Sequence, residues 1–310
     1  MPEFPDLECY LSALEPRVKG QTIERVRLAS PFVLRSVEPP LSVVHGKRVL
    51  GFRRVGKRIV FELEEGFFLV IHLMVAGRLY WKEANAKIPG RAGLAAFDFA
   101  NGTLLLTEVS TKKRASIHVV HGEAALKQMD RGGLEPMTAH LDQFAEQLRK
   151  ENHTLKRSLT DPRLFSAIGN AYSDEILHRA KLSPVKQSKS LNGEEIARLY
   201  EATRAVLTEW KERLTTEIGD GWPEKVTAFR PEMAVHGKHK QPCPVCGAAV
   251  QRIVYAENET NYCAKCQSQG RLLADRSLSR LLKDDWPTTL DELEEYVATR
   301  GGTPIGRRRP

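Results

Sequence analysis

Cys243-Pro-Val-Cys246, then sixteen residues, then Cys263-Ala-Lys-Cys266, is the tightest constraint that this sequence places on its own folding. Two Cys-x-x-Cys knuckles at that separation fit four thiolates around one tetrahedral Zn²⁺. Sulfur fills all four positions, so no coordination site is left for a substrate and the metal is structural. It holds a small β-hairpin that so short a segment could not hold by packing alone. An iron centre or metal-free thiols are the competing readings of the same spacing. Four of the five cysteines lie here, which points to a metal site in a reducing, cytoplasmic compartment and not to a disulfide framework. Lys238, His239, Lys240, Arg252, Lys265 and Arg271 surround the knuckles. That basic setting suits DNA, although many zinc ribbons bind protein.

The remaining chain is long enough, at 310 residues, for two or three domains with real cores. No apolar run approaches a membrane span and no secretory leader opens the sequence, so a soluble protein is expected. A net charge of +8 suits a polyanionic partner.

At the N-terminus, Leu7, Leu11, Leu14 and Val18 recur at helical spacing, with Pro5 and Asp6 in the first turn and Gly20 as the stop. Cys9 on this helix reads as an ordinary buried or half-buried thiol. Ahead of it stand Pro2 and Glu3. A proline directly after the initiator methionine is expected to become the new N-terminus. Its secondary amine, with a reference pKa near ~8, is partly neutral and nucleophilic at physiological pH. Attack on a sugar aldehyde would give an iminium, an electron sink beside the sugar C2–H. Taken alone, Pro2 does no more than aid methionine removal.

From Thr22 to Val120 the pattern turns to short strands broken by glycines, as in Arg58-Ile-Val-Phe-Glu-Leu and Phe67-Phe-Leu-Val-Ile-His-Leu. Asn101-Gly102 predicts a hairpin turn between Ala95–Phe99 and Thr103–Thr107. An antiparallel sandwich or barrel is expected. Lys57 follows Gly56 in a basic hairpin that, by composition, is a solvated one. Lys112, Lys113 and Arg114 form a second basic knot at a turn.

After Gly132 the character is helical, over His140–Lys150, Thr154–Phe165, Ala171–Ala180 and Gly193–Leu214. Gly169 is expected to end one helix and Asn170 to cap the next. The backbone N–H groups at such a turn make a phosphate site, though a plain helical hairpin has the same pattern. In the tail, one helix is expected to carry Leu272, Leu273, Leu278, Leu281 and Leu282. A second begins at Thr289-Leu-Asp-Glu292, a capping-box pattern. The expected class is a multidomain α+β protein. Its segments are a β-sandwich with an N-terminal helix over 1–132, a helix–two-turn–helix region over 133–225, a four-cysteine finger over 226–268 and a helical extension over 269–310.

These pieces in this order resemble the formamidopyrimidine-DNA glycosylase / endonuclease VIII family. Pro2-Glu-Phe-Pro-Asp-Leu-Glu8 is similar to that family's PELPEVE, and RRVGKR to its lysine-bearing hairpin. His72-Leu-Met-Val-Ala-Gly77 resembles its His-Leu-Gly-Met-Ser-Gly stretch. Ala167-Ile-Gly-Asn-Ala-Tyr-Ser-Asp-Glu-Ile-Leu177 resembles the helix–two-turn–helix signature, and the knuckle pair resembles the C-terminal finger. The resemblance spans residues 2–267. It implies a two-domain clamp on DNA, in which Pro2 attacks C1′ of a flipped-out damaged nucleotide and the strand breaks by β- and δ-elimination. It implies that Glu3 protonates the sugar ring oxygen and that Lys57 contacts DNA near the lesion. Asn170 would bind a backbone phosphate, and His72, Met74, Val75, Lys112, Lys113, Arg114 and Asn258 would lie along the DNA. Flipping costs a few kcal/mol, which phosphate contacts and inserted side chains offset.

Departures from the family pattern fall on gripping and reading, not on the catalytic end. Asn258 stands where the finger has an arginine, so a charge-assisted phosphate contact is lost. Arg252 and Arg271 are the candidates to replace it. Ser110-Thr-Lys-Lys-Arg-Ala115 replaces Asp-Pro-Arg-Arg-Phe-Gly, which removes an aromatic wedge. Met74 comes one position early, leaving Val75 at the intercalating site. Asp6 replaces a glutamate, and a long tail follows Cys266. The expected function is a monomeric glycosylase and abasic-site lyase with altered lesion preference, acting on DNA with a damaged base or abasic site. The alternative is a non-catalytic damage-binding protein that recruits partners through residues 269–310.

Overall fold

The structure is a computed structural model and describes residues 1–255, 258–273, 287–292 and 295. By contacts the chain divides into two units, Met1–Glu135 with Leu207–Ala228, and Pro136–Val206 with Phe229–Pro310.

The first unit begins with helix α1, Phe4–Val18. Glu3 caps it. Its side chain accepts from the Asp6 backbone N–H, and the Asp6 carboxylate accepts from the Glu3 N–H at 3.0 Å. Leu7, Tyr10, Leu14 and Val18 are fully buried, each contributing roughly 1.5–3 kcal/mol. Leu11 lies at the margin of that stripe, partly buried.

Two four-stranded antiparallel sheets follow, as the strand spacing predicts. The strands are β1 Arg25–Leu28, β2 Val49–Val55, β3 Arg58–Leu63, β4 Phe67–His72, β5 Gly77–Lys82, β6 Gly93–Phe99, β7 Gly102–Glu108 and β8 Ser116–His121. One sheet runs β1-β6-β7-β5 and the other β2-β3-β4-β8. Ile59, Phe61, Leu69 and Ile71 meet Leu79, Phe97, Leu104 and Leu106 in one core. Phe61 and Phe97 stack across it, with ring centroids 6.4 Å apart. α1 closes this core, and its Tyr10 hydroxyl accepts from the Leu79 N–H.

The expected hairpin forms, but its turn lies one residue earlier. Phe99 pairs with Gly102, so Ala100 and Asn101 make the bend. Gly102 is a glycine for another reason, since a Cβ there would lie 2.3 Å from the Trp81 ring. Helix α2, Glu123–Lys127, covers the outer face of the second sheet through Leu126.

The second unit holds α3 Leu141–Arg149, α4 Leu155–Thr160 and α5 Asn170–Arg179. α4 stops earlier than the expected Phe165, because residues 161–168 run through turns with Ala167 left-handed at φ 59. Gly169, not Asn170, is the cap of α5, and Asn170 is its first helical residue. α6 is Gly193–Ile218. Residues 207–225, which the sequence groups with the helical region, pack with the sandwich. Trp222 Nε1 donates to the Leu79 carbonyl at 2.8 Å, its ring lies 5.9 Å from Tyr10, and Cys9, buried as expected, faces the Leu214 carbonyl. The finger is a hairpin of β9 Gln251–Tyr255 and β10 Asn258–Tyr262 followed by α7 Ala264–Ser268.

Most of the first expected tail helix lies outside the described residues. Leu272 and Leu273, its first members, pack with Tyr262, Ile253 and Leu290. The second shows its cap, with the Glu292 N–H donating to Thr289 Oγ1 at 3.2 Å. No helix among the described residues is long and apolar enough to cross a membrane.

Candidate active site and metal centre

In the first unit, α1 places its N-terminus among charged side chains. Pro2 and Glu3 are buried. The α-amine of Met1 stands in for the one that Pro2 would bear after methionine removal. Burial holds it below its ordinary value. Glu3 and Asp6 oppose that shift, and Arg78 and Lys57 reinforce it. Lys57 is half-buried at its turn, not freely solvated. Desolvation pulls its ammonium below the usual lysine range, with Glu3 opposing. An amine kept partly neutral, a carboxylate and a lysine therefore share one small region.

The hairpin that carries Lys57 is held by a residue that the sequence does not flag. Arg54 is only 8% exposed. It pairs with Glu8 of α1 at 3.2 Å and with Glu135 at 2.6 Å, donates to the Gly56 carbonyl, and lies over the Phe4 ring. Within a run of basic residues, composition cannot separate this buried arginine from its solvated neighbours. Arg78 is likewise unsignalled. It donates to the Val75 and Gly77 carbonyls and bears on the amine.

His72 ends β4 opposite Arg58 and Ser116. Burial, with Arg58, Lys57, His118 and Arg131 adding to it, pushes its imidazole down to about 4. It is therefore a neutral hydrogen-bonding group near pH 7. The next residues reverse the chain, with Gly77 N–H donating to Leu73 O at 2.9 Å. A Cβ on Gly77 would lie 2.2 Å from that oxygen. Met74 takes φ 53, a left-handed position that costs a non-glycine residue roughly 1–2 kcal/mol. The family stretch quoted above has glycine at this point. Val75 projects from the turn, 55% exposed.

The second loop, 109–115, closes on Glu108. That buried carboxylate accepts from Ser110 Oγ at 3.0 Å and from the N–H groups of Arg114 at 2.7 Å and Ala115 at 3.0 Å. Lys113 donates to the Glu108 carbonyl. Lys112, Lys113 and Arg114 are exposed, and so is Val109, at 80%. A single valine beside a basic run carries no signal in the sequence, so Val109 is visible only in the structure.

In the second unit, α5 presents one polar face. Asn170 Nδ2 donates to the Glu259 carbonyl of β10 at 2.9 Å. Lys156 donates to the Asn170 carbonyl and to Asp174, both at 2.6 Å, and the other Asp174 oxygen meets His236 Nδ1 at 2.8 Å. Glu175 accepts the backbone N–H groups of Ala234, Val235 and His236. Asn258 opens β10 opposite Tyr255, beside the hairpin turn. Arg252 pairs with Glu259 at 3.3 Å on the same hairpin. Arg271 bridges to Thr289.

The four cysteines converge as predicted. Their sulfurs lie within 4.8 Å of one another, with Cys243 and Cys266 3.9 Å apart and Cys246 and Cys263 3.4 Å apart. Tetrahedral Zn²⁺ with bonds of about 2.3 Å sets sulfurs about 3.8 Å apart, so the cage fits one structural Zn²⁺. Burial pushes the Cys266 thiol up to about 11 and Cys263 further. Those two thiols ionise on binding a cation.

The model of the formamidopyrimidine-DNA glycosylase N-terminal domain matches residues 1–115, that of the formamidopyrimidine-DNA glycosylase H2TH domain residues 133–218, and that of the zinc finger found in FPG and IleRS residues 240–269. The formamidopyrimidine-DNA glycosylase of Heliobacterium modesticaldum is 32% identical over 276 residues, covering 86% of this chain and 100% of that protein. The chain belongs to the formamidopyrimidine-DNA glycosylase family. The family enzyme of Thermus thermophilus is 34% identical over 277 residues, covering 87% of this chain and all of its own length. Lactococcus lactis Fpg in complex with abasic-site DNA superposes with a TM-score of 0.75 at 27% identity, over 86% of this chain and 99% of that one. MutM in complex with DNA containing carbocyclic 8-oxo-G gives the same TM-score at 27% identity, over 86% of this chain and 100% of that one.

Proposed function

We infer that this family member excises a damaged base from DNA and cleaves the strand at the abasic site left behind. The observation that carries the reading is the buried Pro2-Glu3 start of α1, with Lys57 and Arg78 bearing on the amine. With Met1 removed, the Pro2 nitrogen attacks C1′ of the extruded nucleotide and the base leaves. Glu3 protonates the ring oxygen and the sugar opens to an iminium. Loss of a C2′ proton into that electron sink breaks the C3′–O bond, and a second elimination breaks the C5′–O bond. Burial first, reinforced by Arg78 and Lys57, favours the unprotonated amine that is able to attack.

DNA gripping is assigned to Lys57, His72, Lys112, Lys113 and Arg114 in the first unit and to Asn170 and Asn258 in the second. Met74, Val75 and Val109 are assigned to the space that the extruded nucleotide leaves. Valine tips without an aromatic ring support a lesion preference other than oxidised guanine. The protein acts as a monomer in the cytoplasm. A damage-binding role without catalysis would need Glu3 only as the cap of α1 and would leave the depressed amine beside it without a use.

The test is borohydride trapping of the full chain, Met1 removed, on duplex DNA with one abasic site. A covalent adduct mapped to Pro2 and absent from Pro2→Gly is expected. An adduct elsewhere, or none, would overturn the assignment.

A further inference from the structure

Helix α5 reaches the finger through residues one turn apart. Asn170 and Asp174 engage Glu259 and His236, and the third, His178, lies with its Nε2 3.3 Å from Cys243 Sγ. Both side chains are buried, at 6% and 2% exposure, so water does not compete for either atom. The Cys243 backbone N–H is spent on the Ala248 carbonyl at 2.8 Å.

A neutral thiol is a weak acceptor for a buried N–H, whereas a metal-bound thiolate carries charge and accepts well. A thiolate also has no proton to give, so the imidazole nitrogen that faces it must be the donor. Four thiolates around one Zn²⁺ leave an excess of two negative charges in a closed site. A donor from outside the knuckles spreads that charge and fixes the sulfur lone pair toward the metal. Glu175, on the same helix, holds three successive backbone N–H groups of the turn segment that precedes the first knuckle. The approach of Cys243 to His178 is therefore set from two sides.

We propose that His178 is a positioning residue of the zinc site, donating its Nε2–H to the Cys243 thiolate and so binding the finger metal and helix α5 into one unit. Zinc retention then depends on a helix that contributes no ligand. Loss of a hydrogen-bonded partner of this kind lowers metal affinity by about 10–100-fold.

The experiment compares the full-length zinc protein with His178→Leu, His178→Gln and His178→Asn. Zinc transfer to a chromophoric chelator is measured, and the thiolate-to-metal absorption is recorded after exchange with Co²⁺. Gln has an amide N–H at about the reach of Nε2, and Asn falls short. Leu and Asn should each release zinc about 10–100-fold more readily and shift the Co²⁺ charge-transfer band, while Gln restores both. Should Leu fail to fold, the Gln and Asn pair decides, since the two differ in reach and not in polarity. Equal zinc release and an unshifted band across the set would overturn the proposal. So would Gln behaving like Asn.

Discussion

Acid should destabilise this protein more than its His72→Gln variant. An unfolded imidazole titrates near ~6.5, whereas His72 in the fold is held down to about 4 by burial and by Arg58, Lys57, His118 and Arg131. Between those values the unfolded chain binds a proton that the folded one refuses. Stability therefore rises with pH across the window. The contribution is fully present above the unfolded value and is lost as pH falls through the folded one. A gap of about 2.5 units at 1.36 kcal/mol each amounts to about 3 kcal/mol. Glutamine does not titrate, so subtracting the variant's curve removes every other group, including His118. Urea unfolding followed by tryptophan fluorescence from about pH 7 to about pH 4 would give both curves. The wild type should lose about 3 kcal/mol relative to the variant. Parallel curves, or an imidazole that titrates in the folded protein at its ordinary value by NMR, would refute the reasoning. A neutral His72 also predicts that the salt dependence of DNA binding near pH 7 is the same in both proteins, since no phosphate-neutralising charge is removed.

Glu3→Gln should keep DNA affinity and lower base excision by about 10²–10⁴-fold in single-turnover assays, the usual worth of a positioned proton donor; unchanged excision would remove Glu3 from the chemistry. Arg54→Met should destabilise the first unit by about 1–3 kcal/mol, because it removes the buried cation that faces Glu8 and Glu135; a thermal melt within error of wild type would show that the pair is not structural. Asn258→Arg should tighten DNA binding and steepen its logarithmic salt dependence by about one unit, and an unchanged slope would mean that another cation already holds that phosphate. Elemental analysis should find about one zinc per chain.

The apolar pattern alone was enough to read α1, since Leu7, Leu14 and Val18 all reach the core. The four-sulfur cage was legible because its spacing leaves few other geometries. At Asn101-Gly102 and at Asn170 the local preference is real, but a neighbour shifts the outcome by one residue. Trp81 occupies the space above Gly102, and Gly169 takes the cap that Asn170 would suit. Arg54 and His178 were invisible for a different reason. Their roles exist only with Glu8, Glu135 and Cys243, residues 46, 81 and 65 positions away in the chain. No local window contains such a pair. Met74 is a third kind of case, in which the family's glycine at the matching point becomes intelligible only once the left-handed backbone is seen.

Glu108 holds the 109–115 loop mainly through backbone amides, which every residue but proline supplies. The shape of that loop is thus written at its base, and the identity of its tip is free to drift. Exchanging Val109, Lys112 or Arg114 should alter what the loop touches without unfolding it. A single carboxylate makes the 109–115 loop an interchangeable part.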